Sequence, residues 1–326
     1  MLLKSYLVGL SIVLLSFYLI YSWKRRRLYR MASKIPGPVG LPFFGEALSV
    51  LGNDHSKAFK SLTGLAKDYD TPCKIWYGPY CAVIVDKPKD LQIVLNSSKC
   101  LDKAEVYKFV GITNGLLVSG GNLWKTHRKL LDPAFNVIAL QSLLPTFNAK
   151  GKILVHQMKK RVGVKEFDCY NQISACTLES LLKTMFGIER DAQSNAESDK
   201  YLHDMEVGSK LLNDRLYKIW FHFQPLFRIS DCYKQFKKYV VNGMYAIGDE
   251  IIQEKLKQRQ NKSLPGLLFA KYQTFMIFDY FYLDGKHPNF VDLLLNAKEK
   301  LEYDEVKDEI NTLIAAVREN FPFKCS

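Results

Sequence analysis

Residues 5–23 constrain this chain more than any other stretch: nineteen positions without a charge, dominated by Leu, Ile, Val, Phe and Tyr. As a helix they would reach about 28 Å, close to the hydrocarbon thickness of a bilayer. A cleaved leader would close on small residues. Here the run ends in Trp23 and the cluster Lys24, Arg25, Arg26 and Arg27. An interfacial aromatic backed by retained positive charge predicts an uncleaved single-pass anchor, with the rest of the chain in the cytosol. The same cluster accounts for much of the net charge. The formal value is +13, yet Lys4, Lys24, Arg25, Arg26, Arg27, Arg30 and Lys34 supply seven of those charges before the first acid, Glu46. The remainder is mildly basic and has no arginine stripe, so nucleic acid ranks low as a partner. Seven cysteines, an odd number without zinc-type spacing, predict no metal site and reduced, mostly buried thiols.

With 48% apolar and 13% aromatic residues, the chain is not generally disordered. After the basic cluster, Pro36, Pro38 and Pro42 fix φ while Gly37, Gly40 and Gly45 permit turns, a stiff irregular link. Apolar spacing at Phe59, Leu62, Leu65 and Ala66 predicts a helix over 57–69. Two β-rich runs, 73–77 and 81–85, flank Gly78-Pro79-Tyr80 and read as a hairpin. A short helix over 87–96 opens at Pro88, a favoured first-turn residue.

Residues 120–136 form the segment most suggestive of chemistry. Gly120, Gly121 and Asn122 open it, and Pro133 ends or kinks it. Trp124 and Arg128 are four apart, so a helix sets them on one face, an indole N–H and a guanidinium aimed at one anionic target. A buried Trp beside a solvated Arg has the same spacing. Lys125, His127 and Lys129 make the segment strongly basic. The longer run GLLVSGGNLWKTHRKLLDPAFN, residues 115–136, resembles the third-helix segment of the cytochrome P-450 haem-thiolate monooxygenases. It looks most like the animal microsomal branch that includes fatty-acid ω-hydroxylases. The resemblance implies that Trp124 and Arg128 hold a haem propionate, which suits a planar guanidinium fork and a neutral indole donor.

The resemblance orders the rest. Residues 34–45 match the family's proline hinge in part, with Ile35 in place of its first proline. Residues 101–117 correspond to the loop covering the substrate side of the haem, which makes Phe109, Val110, Leu116 and Leu117 pocket candidates; core packing explains them as well. Helices are expected over 143–158, 167–186, 205–216 and 233–260, the last two by resemblance the mobile pair roofing the pocket. The 167–186 helix should bury Ile173, Cys176, Leu178, Leu181 and Leu182. His203 and His222 stand alone, as surface or core histidines do. The aromatic stretch 267–283 has no family counterpart; it is an added membrane contact or a sequence foreign to the mature protein. The resemblance resumes at 290–297 and over 304–316, the start of the family's central helix.

Then the pattern departs. Where the family has Ala/Gly-Gly-x-Asp/Glu-Thr-Thr, Glu319 matches the oxygen-activation acid, Val317 replaces the glycine, and Asn320 and Phe321 replace the threonines. Ala316 stands where some fatty-acid hydroxylases carry a haem-linking glutamate. The Glu-x-x-Arg helix and the cysteine loop that ligates iron are absent, and Cys325 lacks the glycine four residues before it. The fold expected is mainly α with a small β-sheet, the N-terminal part of the cytochrome P-450 fold behind a single N-terminal transmembrane helix. Residues 1–34 are the anchor with its basic stop-transfer segment, and 35–326 an incomplete cytochrome P-450 domain. By resemblance the chain is a single-pass protein of the endoplasmic reticulum membrane. Haem is its cofactor, an NADPH-dependent reductase and membrane lipid are its partners, and its substrate is a lipophilic small molecule. Its function by ancestry is monooxygenation, with this chain expected to be inactive, to hold haem poorly and to leave apolar faces from residue 167 onward partly exposed. The competing reading is a non-catalytic membrane protein: a truncated splice form, or a pseudogene or gene-model fragment.

Overall fold

The N-terminal residues carry no proline before Pro36, and they form helix α1 (Leu2–Lys24) and, after a break at Arg25, helix α2 (Arg26–Ala32). The computed structural model describes residues 2–41, 43–50, 60, 64, 67–163, 167–196, 199–261, 290–296 and 301–319. It divides into two units, Met1–Ser97 with Tyr217–Ile219, and Ser98–Leu216 with Trp220–Ser326. Among the described residues no single helix is long and apolar enough to cross a membrane; the apolar part of α1 that was described is Val8–Lys24. The expected helix over 57–69 falls mostly outside the described residues, and the stretch 267–283 lies wholly outside them.

In the first unit the proline link is held by strand β1 (Cys73–Tyr77). Lys74 Nζ donates to the carbonyls of Ala32 at 3.0 Å and Ile35 at 2.8 Å, and its backbone N–H donates to Pro36 at 2.8 Å. These contacts tie the end of α2 and the residues that follow it to the strand. Strand β2 (Tyr80–Ile84) pairs antiparallel with β1, setting Tyr77 opposite Tyr80 across the Gly78-Pro79 turn. The hairpin is the expected one. Helix α3 (Pro88–Asn96) begins at Pro88, as its fixed φ predisposes it to do.

The second unit is helical. Helix α4 (Gly121–Leu131) runs into a tight 3-10 turn over Asp132–Phe135 that contains Pro133. Helix α5 (Val137–Lys159) then leaves at 57° to it. Asn136 Oδ1 accepts from the Ala139 N–H at 2.8 Å, so the helix starts at this cap, six residues before the expected position 143. Helix α6 (Tyr170–Phe186) stops where Gly187 turns left-handed at φ 65°, which lets the Ile188 N–H reach back to the Leu182 carbonyl at 2.9 Å. Helices α7 (Lys200–Tyr217), α8 (Gln224–Ile229) and α9 (Asp231–Phe236) follow. The single helix expected over 233–260 is interrupted: residues Lys237–Met244 wind as a wider π-helix before α10 (Ala246–Asn261). There the Tyr245 N–H bonds to Val240, five residues back, at 2.9 Å. The bulge lies where α7 packs closely: a Cβ on Gly243 would sit 3.0 Å from Asp204. Helices α11 (Phe290–Asn296) and α12 (Tyr303–Glu319) complete the unit, over the stretches 290–297 and 304–316 where the resemblance resumes.

The core gathers Leu178, Leu182 and Phe186 of α6 with Ile251 and Ile252 of α10, Leu294 of α11, and Ile310 and Ile314 of α12. Each such side chain contributes about 1.5–3 kcal/mol by leaving water. Of the α6 face expected to be buried, Leu178, Leu181 and Leu182 are buried, while Ile173 and Cys176 are half-buried. Exposed apolar side chains are most numerous along α1; in the second unit they lie along α5, at Val137, Ile138, Leu144 and Val155, and at Phe223, Leu226 and Ile229. Of the six described cysteines only Cys73 is buried and Cys100 is exposed, which corrects the expectation of mostly buried thiols.

One turn of α12 binds several neighbours through polar groups. Asp308 Oδ2 accepts from the Thr113 N–H at 3.1 Å, the Thr113 hydroxyl at 3.0 Å and the Asn114 N–H at 2.9 Å. Lys307 pairs with Asp249 of α10 at 2.6 Å, and Asn311 Nδ2 donates to the Tyr245 carbonyl at 3.2 Å. Gly115 is the residue that lets the 111–120 loop lie this close: a Cβ there would stand 2.7 Å from the Asp308 carbonyl oxygen and strike Thr312 Oγ1. Gly115→Ala should therefore destabilise the chain by about 1–3 kcal/mol through overpacking. A chemical unfolding curve indistinguishable from wild type would show that the loop yields freely.

Candidate functional site

Helix α4 is set by its glycines at one end. Gly120 is extended, and a Cβ on it would approach Asp102 Oδ1 to 2.9 Å; Gly121 is left-handed at φ 54°. The pair lets the chain turn tightly over Asp102 into the helix. Trp124, His127 and Leu131 then recur at i, i+3 and i+7, the spacing of a buried stripe. His127 and Leu131 are fully buried, while Trp124 is half-buried at the margin.

The two residues expected to face an anion lie on adjoining turns, and among the described residues no acid from another helix pairs with Arg128. Arg128 is 56% exposed, and its Nε pairs with Asp132 Oδ1 at 2.7 Å within the same stretch of chain. The Trp124 indole N–H has no hydrogen-bond partner among the described residues. Glu319 lies in the last turn of α12, but its side chain is outside the described residues, as are Asn320, Phe321 and Cys325 altogether. Of the pocket candidates, Phe109 is buried under the Arg215 guanidinium, which donates to its carbonyl at 2.9 Å and lies 5.1 Å from its ring centre. Burial among the rings of Phe109, Phe227 and Phe236 pushes the Arg215 pKa down to about 10. Val110 and Leu116 pack against the core and Leu117 is half-buried, so this loop is largely committed to packing. His222 stacks on Phe109 at 4.5 Å, and His203 meets the edge of Tyr239. Among the described residues no cluster of His, Cys, Asp or Glu is arranged to hold a metal ion.

Sequence reasoning missed the main feature. His127, grouped above with the basic surface of the segment, is 1% exposed, and its Nδ1 lies 2.6 Å from Oε1 of Glu309, itself 1% exposed. On its other side Nε2 is 3.8 Å from Oε1 of Glu305 and makes no hydrogen bond. Glu305 and Glu309 are one turn apart on α12, two like charges that stabilise a cation placed between them. The hydrogen bond to Glu309 raises the His127 pKa; burial opposes this, and the charges of Glu309 and Glu305 add to the rise. The available signal was its place on the apolar stripe, since a polar group there requires a buried partner. Nothing local could name Glu309, 182 residues away.

This pair makes stability depend on pH in a defined sense. A raised folded-state pKa gives stabilisation that is fully present below the ordinary imidazole value of about 6.5 and is lost as pH rises through the elevated one. The thermal midpoint of wild type, relative to His127→Gln, should therefore fall as pH rises above 6.5. A difference that does not change with pH would count against an ionised pair. His127→Phe, which leaves Glu309 buried and unpaired, should cost about 3–5 kcal/mol.

Comparison with known proteins extends these observations. The chain matches the family model described as Cytochrome P450 over residues 35–320. It is 28% identical to cytochrome P450 4c3 of Drosophila melanogaster over 92% of this chain and 57% of that protein. It is 31% identical to cytochrome P450 4d10 of Drosophila mettleri over 66% of this chain and 42% of that one. It is 26% identical to cytochrome P450 4V2 of Mus musculus over 94% of this chain and 58% of that one. The chain thus spans between 42% and 58% of the length of these relatives. The mainly helical fold with its two-stranded sheet is consistent with this match, which covers most of the sequence: the chain belongs to the cytochrome P450 family.

Proposed function

We propose that this chain carries the N-terminal portion of a haem-dependent monooxygenase that hydroxylates a lipophilic substrate with dioxygen and electrons from an NADPH-dependent reductase. The family match over 35–320 is the observation that supports this reading most. Family membership implies haem; the donor set of α4 suits that group. Among the described residues Arg128 is held by an exposed i,i+4 pair, worth about 0.3–0.5 kcal/mol, so a propionate can displace Asp132 at little cost. The Trp124 indole N–H is free to donate beside it. Haem, when bound through a thiolate, supplies the activation of dioxygen needed to oxidise an unactivated C–H bond. The part of Trp124 and Arg128 is to bind and orient it, with two donors whose direction α4 sets.

The relay positions reduce what this chain itself can do. Asn320 and Phe321 put an amide and a phenyl ring where the family pattern has hydroxyls, and beside them Glu319 alone matches its acid. Proton delivery from these residues is accordingly poor, and turnover by this chain low or absent. We read residues 1–34 as an anchor in the endoplasmic reticulum membrane, because the uncharged run ends in four consecutive basic residues and the globular part follows.

Two measurements check these assignments. Titration of the full chain in detergent micelles with hemin and with hemin dimethyl ester should show a preference for the free acid. A charge-assisted hydrogen bond contributes about 1.5–3 kcal/mol, so Arg128→Ala should weaken hemin binding roughly tenfold or more and leave the ester unaffected. Equal losses for both ligands would remove the propionate assignment. For topology, added protease should digest residues 35 onward in sealed microsomes; protection of the globular part would reverse the orientation.

A further inference from the structure

The buried histidine has a consequence for the exposed arginine beside it. We infer that His127 is a positioning residue for the cofactor-facing side of α4: gripped by Glu309, with Glu305 behind it, it sets the rotation of α4 against α12. It thereby fixes the direction in which Trp124 and Arg128 present their donors. The inference rests on the propionate reading of that pair.

The geometry supports this in three ways. First, the contact is directional. A separation of 2.6 Å between two side chains that are each 1% exposed is at the short end for a charge-assisted bond, and such a bond weakens steeply when its angle opens. Helix α4 also lies against α11, and its buried Leu131 belongs to the same apolar cluster as Val291 and Leu294 of that helix; apolar burial is not directional and tolerates rotation. Second, no side chain caps the N-terminus of α4, which is entered through left-handed Gly121 and left through the Pro133 turn. The His127–Glu309 bond adds a side-chain pin within the helix itself. Third, the lever is short. His127 directly precedes Arg128 and follows Trp124 by three positions, so each turns with the ring as a rigid unit, about 100° per residue. A rotation by one residue would carry Arg128 toward the acids of α12.

Two readouts on the full chain in detergent micelles test this. Amide hydrogen exchange of residues 121–131 is compared with that of 170–186 in wild type, His127→Phe and His127→Gln. Positioning predicts that His127→Phe speeds exchange in α4 tenfold or more with α6 unchanged, and that His127→Gln, which can still donate to Glu309, recovers most of the protection. Equal acceleration in both helices, or none in α4, would reduce His127 to a general stabilising residue and overturn the inference. Should His127→Phe fail to fold, Glu309→Gln keeps the volume and should loosen α4 in the same selective way. The second readout is the preference for hemin over its dimethyl ester. His127→Phe should abolish it although Arg128 is present, with His127→Gln restoring it. If Arg128→Ala abolishes the preference and His127→Phe leaves it intact, the positioning role fails. If Arg128→Ala has no effect, the propionate reading fails instead, and the exchange pattern still decides whether His127 orients α4.

Discussion

The hydrogen bond between His127 and Glu309 is the interaction on which the arrangement around α4 depends. Both partners are fully buried, and removing either would leave the other as an uncompensated polar group in the core. A buried ionic pair is seldom worth much as net stability, because desolvation of two charges offsets most of their attraction. Its value is specificity. The apolar stripe of α4 would accept several rotations against its neighbours, whereas this bond accepts one.

Neighbouring residues of α12 supply further polar ties. Asp308 gathers the loop at Thr113 and Asn114, Asn311 reaches the carbonyl of Tyr245 before α10, and Lys307 pairs with Asp249. Gly115 lets the loop backbone lie against this turn where any side chain would hold it off. A central helix with charged residues at successive positions can bond in several directions at once, since each residue turns about 100° from the last. Loop 111–120, helix α4 and the start of α10 therefore share one reference frame, although their sequences lie far apart.

Charge is divided within α4 by the same rotation. Arg128 and His127 are neighbours in sequence and both basic, yet one is exposed beside Asp132 and the other buried beside Glu309. A basic residue on the polar face gains little from a surface pair and stays free to meet an anion. A basic residue on the apolar face must be neutralised where it stands. Counting His127 with Lys125 and Lys129 as basic residues of the segment overlooks this division, although the stripe Trp124, His127 and Leu131 marks the buried side.

What the sequence by itself determined is the local architecture and the family. Pro88 starts a helix, Gly187 ends one, Pro133 bends one, and the Gly78-Pro79 pair folds a hairpin. Each is a consequence of φ limits and missing donors that act within a few residues. The run over 115–136 carried the resemblance that the family match bears out. Tertiary structure alone decided the rest: that a π-helical segment interrupts 233–260 where α7 packs closely, and that His127 meets an acid 182 residues away. Backbone periodicity tells which side chains share a face, but not which distant segment covers that face. The partner of a buried charge is fixed only when the chain closes on itself.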